Sequence, residues 1–589
     1  MNHIYYIYII KYRAVHNIGI SLDARYLYNM DEKQKSLSIM PNPHYVDGIW
    51  PTGISSLSAI VGNNGAGKTT CLEAFLQMLA EGSGEFSPEA IILYGNQQAL
   101  KAYIPKKCEY NIQNERIHIS QDRPTTGLFY YSSYFRPYTS LHAPGEGELA
   151  GVYNATDTWR LVKDLQDYSN IDTNSANNSL AWHLNAHIAQ DHSRIIQLMS
   201  DDELRKLLPE SLPDHILVVQ NTSGYYLLLH KKQTQKEYKN LDLRVPFFNR
   251  SFEGCLANII LYVFYNVAAD FGRVPKEVYE ILSYKDEWLA LYQESKQAEF
   301  SLEQFIKGRI RNEIRFVQLL NVIKYLKSAC KYNENANTLC LRFGDNQDKN
   351  SIKHLLGFYQ NRNFIVAHFF DMVYAYDSYS GARLSSGEMD MLKFYSRLYD
   401  ALSLYPKKFD NIYAPSLLLV DEAENSYHPE WQRQFVCRLV DFLQALYNRK
   451  KYSFEFQVVL TTHSPILLSD IPRMCVNYLE KNDKTGETRL SIDQPETFGS
   501  NVFELYRNAF FMQDGLVGKY AQKKITEIIQ EIRESIKSID EILSEIELIG
   551  DKAIREYLHS LLEGRDKESM LLYYRQKVKE LEGKSYAAD

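Results

Sequence analysis

An α/β fold with a mixed sheet and flanking helices is the fold class that the sequence predicts, and three observations support it. A short apolar run at residues 56–61 ends at a glycine-rich turn, and helical spacing follows over residues 69–79. A second apolar run at 416–420 ends at two adjacent carboxylates. Between about residues 384 and 479, helical segments alternate with short apolar runs. Alternation of this kind is typical of an α/β domain.

The composition bounds the kind of protein. The chain has 589 residues, of which 45% are hydrophobic and 24% charged, as in ordinary globular proteins of about three or four domains. A net charge of −7 excludes a basic nucleic-acid coat but is compatible with a local basic groove. Seven cysteines without C-x-x-C spacing argue against a zinc finger or a disulfide framework. The apolar run at 4–10 is too short to span a bilayer, so we expect a first β-strand, no membrane association and a cytoplasmic location.

The pattern divides the chain into four segments. We expect the two lobes of the α/β domain at residues 1–100 and 381–510. An insert at 101–380 lies between them, and a tail follows at 511–589. The insert has no sustained heptads and is predicted to be mainly helical and compact. Its one hairpin signal, at 221–224, predicts paired strands at 215–219 and 225–230. The tail is predicted to be a charged, amphipathic helical segment.

A complete phosphate-loop pattern, G-x-x-x-x-G-K-[ST], stands at residues 62–69. It lies between a predicted strand and a predicted helix, where backbone N–H groups and the helix N-terminus can bind phosphate oxygens. Lys68 is expected to neutralise the β- and γ-phosphates and Thr69 to ligate Mg²⁺. A simple glycine-rich turn is the alternative. The residues expected to bind the nucleotide here are Asn63, Asn64, Gly65, Ala66, Gly67, Lys68, Thr69 and Thr70.

The second motif is the run Leu-Leu-Leu-Val-Asp-Glu at 417–422. Its apolar residues predict a buried strand, and ligands bind at the carboxyl edge of parallel sheets. Asp421 is expected to hold Mg²⁺, directly or through water, and Glu422 to polarise the attacking water. Apolar strands that end in acidic residues are common, so this motif indicates a nucleotide site only in combination with the phosphate loop.

The third motif is Leu-Ser-Ser-Gly-Glu at 384–388, just ahead of a predicted helix. Ser386 and Gly387 can donate hydrogen bonds to a γ-phosphate from that helix N-terminus. The set expected to contact nucleotide is Ser385, Ser386, Gly387 and Glu388. A plain N-capped helix, with Ser385 or Ser386 as the cap, is the alternative.

The fourth motif is Thr-Thr-His-Ser-Pro at 461–465, after a predicted strand at 456–460. A histidine just past a neighbouring strand can reach the γ-phosphate and sense hydrolysis, so His463 is a candidate catalytic residue. A lone histidine is more often structural. The catalytic interpretation of His463 depends on the predicted helix and strand that lie between Asp421 and His463.

Together the four motifs resemble those of ABC-type ATPases of the RecF, Rad50 and SMC branch, over about residues 1–100 and 380–510. The resemblance implies an ABC-type P-loop NTPase head that binds ATP and Mg²⁺, hydrolyses ATP, and forms a homodimer around two nucleotides. That family usually places a glutamine on the strand after the phosphate-loop helix to complete the Mg²⁺ shell. This sequence has Tyr-Tyr-Ser-Ser-Tyr at 130–134, and either Ser132 or Ser133 is open as the substitute.

The run D-E-A-E-N-S-Y-H-P-E-W-Q at 421–432 also looks like that of OLD-like ATPases of prokaryotic anti-phage defence, including Septu-type and retron-associated systems. This resemblance implies an ATPase that senses a trigger or gates an effector, a nuclease or toxin acting in trans. OLD nucleases carry a C-terminal TOPRIM domain with an Asp-x-Asp motif. The tail has no such motif, so no TOPRIM domain is expected.

Two other functions stay open: a RecF-like clamp in DNA repair, and a slowly hydrolysing scaffold that sequesters an effector. Basic residues of the insert can form a DNA or RNA surface, with a solvated helix face as the alternative. They are Lys231, Lys232, Lys236, Lys239, Lys307, Arg309, Arg311 and Arg315. His183, His187 and Asp191 share one predicted helix face, where a polar surface is favoured over a metal site.

Overall fold

The computed structural model describes most of the chain and divides it into two compact units, Met1–Phe510 and Phe511–Asp589. Apart from gaps of one to three residues, the described residues are 3–80, 88–133, 152–156, 180–235, 243, 250–270, 326–342, 370–376, 384–404, 416–508 and 517–575. Predictions for other positions fall outside these residues, among them those for the basic residues Lys236, Lys239, Lys307, Arg309, Arg311 and Arg315.

Strands make up much of the first unit. In chain order they are β1 His3–Tyr12, β2 Val15–Ser21, β3 Tyr26–Asp31, β4 Ser36–Pro41, β5 Ile54–Gly62, β6 Glu89–Asn96, β7 Ala99–Tyr103, β8 Asn111–Ile112, β9 His118–Ser120, β10 Leu128–Ser132, β11 Val152–Asn154, β12 His215–Gln220, β13 Lys331–Asn333, β14 Thr338–Arg342, β15 Phe370–Ala375, β16 Leu417–Asp421, β17 Phe456–Thr462, β18 Val476–Lys481 and β19 Thr488–Leu490.

Among the described residues, helices lie between these strands and make up most of the second unit. They are α1 Lys68–Leu79, α2 Leu180–Met199, α3 Asp202–Arg205, α4 Ser223–Thr234, α5 Phe252–Asp270, α6 Ser386–Tyr399, α7 Pro429–Lys450, α8 Pro465–Leu468, α9 Val502–Asn508, α10 Lys519–Glu534, α11 Ile539–Glu547 and α12 Lys552–Arg565.

One large mixed sheet organises the first unit. Its strand order is β11-β10-β16-β17-β5-β18-β19-β2-β1-β6-β7-β9. The strands from β11 to β18 in this order run parallel, whereas β1 pairs antiparallel with both β2 and β6. The predicted fold class, an α/β protein with a mixed sheet and flanking helices, is confirmed.

The central parallel strands are covered on both faces, which explains their sequences. Every residue of β16 and β17 is buried. A parallel strand that is buried on both faces needs a nearly continuous apolar run rather than alternation. Apart from Gln457 near the start of β17, the polar residues of these strands lie at their carboxyl ends, at Asp421, Thr461 and Thr462, which concentrates the chemistry at one edge of the sheet.

The insert contains a second, four-stranded sheet, and here the hairpin prediction is wrong. Strand β12 pairs antiparallel with β14 and with β15, so neither of its edges is left for the segment that follows. That segment, predicted as a strand at 225–230, belongs to helix α4. The ring of Tyr225 lies 5.7 Å from that of Tyr262 and 5.4 Å from that of Tyr265, centroid to centroid, on α5. Packing against α5 therefore outweighs the turn signal at 221–224.

In its described residues, the second unit contains the predicted helical tail, in the form of three helices. Apolar residues of α10, α11 and α12 form its core, among them Ile532, Ile542 and Leu558. Ser538 caps α11 in a capping box with Glu541, which fixes the start of that helix. Throughout the parts of both units that are described, the helices are too short or too polar to cross a membrane.

Candidate functional site

The phosphate loop joins β5 to α1 in a conformation that requires glycine. Gly65 and Gly67 have φ angles of +78° and +95°, in the left-handed region that favours glycine. A Cβ atom on Gly67 would also lie 2.5 Å from Oγ1 of Thr488. The amide of Ala66 donates to the carbonyl of Asn63 at 3.1 Å, which closes the turn. Asn63, Asn64 and Gly65 are exposed at its tip, and Thr69 and Thr70 are half-buried in the first turn of α1.

Lys68 begins α1 and points back across the loop. Its Nζ donates to the carbonyl oxygen of Gly62 at 3.1 Å and lies 2.6 Å from Nε2 of His463 and 3.7 Å from Oε1 of Glu422. Burial lowers the pKa of the Lys68 ammonium, and the nearby carboxylates of Glu422 and Asp421 oppose that shift. The buried ammonium is thus placed against two negative groups.

Glu422 and His463 meet at the same point. Oε1 of Glu422 lies 2.9 Å from Nε2 of His463, and Oε2 accepts a hydrogen bond of 2.8 Å from the Asn425 side chain. Nε2 carries at most one proton, so it either donates to Glu422 or accepts from Lys68. Lys68, Glu422 and His463, which we call the catalytic cluster, are therefore linked through one shared nitrogen.

The backbone of Glu422 is unusual. Its φ angle is +51°, which is uncommon for a residue with a side chain and marks local strain. The hydroxyl of Ser133 donates to its carbonyl oxygen at 2.8 Å, and its amide donates to the carbonyl of Thr461 at 3.1 Å. These bonds hold the strained residue in place and direct its side chain towards Lys68.

Three hydroxyl groups surround the carboxylate of Asp421, which is fully buried. Thr69 Oγ1 lies 3.1 Å from both carboxylate oxygens, Thr461 Oγ1 donates to Oδ1 at 2.6 Å, and Ser132 Oγ donates to Oδ2 at 3.3 Å. Mg²⁺ prefers oxygen ligands, so the residues present fit this ion. Of the two serines left open by the sequence, Ser132 faces Asp421 and Ser133 binds the backbone of Glu422.

The third motif forms a capped helix start. The Ser385 hydroxyl accepts from the amide of Glu388 at 3.3 Å, and the Glu388 carboxylate accepts from the amide of Ser385 at 2.7 Å. This is the capping box of α6. Ser386 is exposed, and a Cβ atom on Gly387 would lie 2.5 Å from the carbonyl oxygen of Ser426. The structure thus places this motif beside the loop that follows β16 and not in the catalytic cluster.

A second polar network, whose contacts the sequence does not predict, lies behind the catalytic cluster. Glu424 is buried, and its carboxylate accepts a hydrogen bond from the Thr462 hydroxyl. Burial raises the pKa of Glu424 to about 7, and the Thr462 hydrogen bond opposes the shift. Gln432 at the start of α7 binds the carbonyls of Glu424 and Tyr427 and the hydroxyl of Ser464. In the sequence, the only sign of this network is the spacing of Glu424 and Gln432 in the run at 421–432.

Comparison with known proteins gives one family match over most of the chain and similarity to solved structures. The family model described as AAA ATPase domain matches residues 52–468. Two solved structures each share 11% identity with this chain over 83% of its length. One is the recombination mediator protein RecF of the RecFOR pathway, with 98% of that chain covered and a TM-score of 0.21. The other is the Smc head domain with an extended coiled coil from Pyrococcus furiosus, with 96% of that chain covered and a TM-score of 0.22. The family match includes the phosphate loop, Asp421, Glu422 and His463 and spans more than two thirds of the sequence, so the chain belongs to the AAA ATPase domain family.

Proposed function

We propose that the chain binds ATP with Mg²⁺ and hydrolyses it at the catalytic cluster. One observation carries this proposal: Lys68 Nζ, Glu422 Oε1 and His463 Nε2 lie within 3.7 Å of one another, beside the contact between Thr69 and Asp421. The sheet brings a phosphate-binding cation, a carboxylate base and a histidine to one edge. Phosphoryl transfer to water is promoted by a cation at the phosphates together with a residue that positions the attacking water.

Each residue has one role in this proposal. Backbone N–H groups of the phosphate loop and Lys68 bind the phosphate oxygens. Thr69, Asp421 and Ser132 hold Mg²⁺, which neutralises charge on the β- and γ-phosphates when bound. Glu422 orients the attacking water and accepts its proton, and His463 donates a hydrogen bond to the γ-phosphate.

The assignment of Ser132 can be tested with its neighbour as a matched control. Ser132→Ala is expected to raise the Mg²⁺ concentration for half-maximal ATP hydrolysis by roughly 10-fold, as loss of a residue that supports a metal site does. Ser133→Ala removes a hydroxyl one residue away that binds the Glu422 backbone, and it is expected to lower kcat without shifting the Mg²⁺ requirement. An unchanged Mg²⁺ requirement in Ser132→Ala would rule out this role.

We further propose that two chains sandwich two ATP molecules, with 1–100 and 381–510 acting as the ATPase lobes. Ser386 is exposed at the first turn of α6 and its neighbour Gly387 packs on the loop after β16. An exposed helix N-terminus that does not take part in its own catalytic cluster can donate to the nucleotide of a partner chain. The resemblance at 421–432 supports a role for this dimer in anti-phage defence, where it gates an effector acting in trans.

Ser386→Arg tests the sandwich. The bulky cation is expected to leave ATP binding to the single chain intact but to abolish ATP-dependent dimerisation and turnover, measured by light scattering and phosphate release. Ser544→Arg, an exposed serine on a helix of the second unit, is the control. In a host challenged with phage, Ser544→Arg should protect as the unmodified chain does and Ser386→Arg should not. Turnover that survives Ser386→Arg would contradict the sandwich.

A further inference from the structure

The loop that carries His463 is tied down on both sides of the histidine. Before it, Thr462 Oγ1 accepts from the amide of Ser464 at 2.8 Å and donates to the carboxylate of Glu424. After it, the hydroxyl of Ser464 donates to Oε1 of Gln432 at 2.8 Å. Because both neighbours of His463 are fixed, the position of its imidazole ring depends on Glu424 and Gln432.

The same two residues are anchored to the loop that carries Glu422. Nε2 of Gln432 donates to the carbonyl of Tyr427 at 3.1 Å and to that of Glu424 at 3.4 Å. One amide side chain thus binds the loop after β16 through its nitrogen and the loop after β17 through its oxygen. Glu424 makes a parallel link, since its backbone belongs to the first loop and its side chain accepts from Thr462, the last residue before the second loop.

We propose that Glu424 and Gln432 are positioning residues that hold His463 in hydrogen-bond distance of Glu422. This inference rests on the proposed ATPase function and assigns a role to the spacing of the run at 421–432. The two links set the distance between the base and the histidine that faces the γ-phosphate. Neither residue belongs to the catalytic cluster, so their loss acts on kcat through geometry, because small misplacements of reacting groups reduce rates strongly.

A double-mutant cycle tests the link between Gln432 and Ser464. Gln432→Ala and Ser464→Ala are each expected to lower kcat by roughly 10-fold with KM for ATP within about 2-fold of the unmodified chain. Because both remove the same contact, the double variant should be no slower than the slower single variant. Gln434→Ala, on the same helix but bonded to Glu430 and Arg438 rather than to either loop, is the control and should keep the normal kcat. Additive losses, or losses in KM alone, would overturn the inference.

Glu424 is tested by a conservative and a disruptive change. Glu424→Gln keeps an oxygen that accepts from Thr462 and is expected to retain most of the activity. Glu424→Ala leaves that buried hydroxyl without an acceptor and should lower kcat as Gln432→Ala does. Equal activity of both Glu424 variants would overturn the role of the carboxylate oxygen.

A readout without turnover separates this inference from the proposed function. The ring signal of His463 in histidine-labelled protein, assigned by its loss in His463→Asn, should shift in Gln432→Ala and Glu424→Ala but not in Gln434→Ala. A chain that does not hydrolyse ATP would contradict the proposed function, and the His463 signal would still decide whether Glu424 and Gln432 position the ring. An unshifted signal in both disruptive variants overturns the inference.

Discussion

Replacing Glu422 with glutamine is expected to slow ATP hydrolysis by roughly 10²-fold or more while ATP and Mg²⁺ still bind. The amide keeps an oxygen that can accept from the Asn425 side chain, which now bonds Oε2 at 2.8 Å. It cannot accept a proton from water. The substitution also removes a negative charge 3.7 Å from Lys68 Nζ, so the affinity of Lys68 for phosphate should not fall.

The measurement pairs a binding titration with single-turnover hydrolysis. Lys68→Ala is the contrasting variant, because removing the phosphate-binding cation should weaken nucleotide binding itself. Glu430→Gln is the matched control, since Glu430 is an exposed carboxylate in the same segment, bonded to Arg433. If Glu422→Gln and Lys68→Ala lose ATP binding equally, Glu422 has a role other than that of the base.

The parts of the site that the sequence predicts are those whose chemistry is local. The phosphate loop needs glycines, a lysine and a threonine at fixed spacing within eight residues, so residues 62–69 can be recognised from the sequence alone. Asp421 and Glu422 follow an apolar run, and one strand, β17, separates that run from the phosphate-loop strand β5. The parallel register of β16, β17 and β5 then brings the two motifs to the same edge.

The partners of Asp421 could not be predicted, because they depend on strand order. Ser132 bonds Asp421 because β10 pairs with β16 in the register that sets Ser132 opposite Asp421. A shift of one residue would have presented the opposite face of the strand and brought Ser133 to this position. Sequence spacing across the 288 residues between Ser132 and Asp421 holds no information on that register.

The hairpin at 221–224 was predicted wrongly and the Glu424 network was not predicted, for different reasons. A turn signal describes only local preference, whereas the edges of β12 are taken by strands from residues 338–342 and 370–375. The Glu424 network joins a loop, a helix start and a second loop through side chains. Its members are ordinary polar residues, and only their contacts give them a common role.

Asp191 shows how burial changes the interpretation of a polar helix face. Its carboxylate lies inside the protein, where it accepts from Nη2 and Nε of Arg397 at 2.6 Å and 3.2 Å and from Arg194 at 2.8 Å. Burial opposes ionisation, but Arg397, Arg194 and His187 hold the pKa of Asp191 well below its ordinary value. No group of three potential ligands with metal-site geometry occurs among the described residues, and the side chain of His183 lies outside them.

This buried ion pair connects the insert to the helix of the third motif. Asp191 belongs to α2, and Arg397 lies near the end of α6 with no exposed surface. Arg397 also donates to the carbonyl of Ala155 at 2.8 Å, so the guanidinium is bonded on two sides. The planar, two-pronged contact is one that lysine could not reproduce. The Asp191 carboxylate is therefore a buried polar contact that fixes α6 against α2.

Asp191→Ala is expected to lower the free energy of unfolding by about 3–5 kcal/mol, because it leaves the buried charge of Arg397 without its partner. Unfolding of the first unit would be followed by denaturant titration, with the midpoint compared between variants. Arg433→Ala removes an exposed partner of Glu430 and should leave the midpoint near that of the unmodified chain. The double change Asp191→Leu with Arg397→Met replaces the pair with apolar groups and should recover part of the loss, since such replacements are often neutral, although Arg194 still loses its bond to Asp191. If Asp191→Ala unfolds no more readily than Arg433→Ala, the ion pair does not hold α2 to α6.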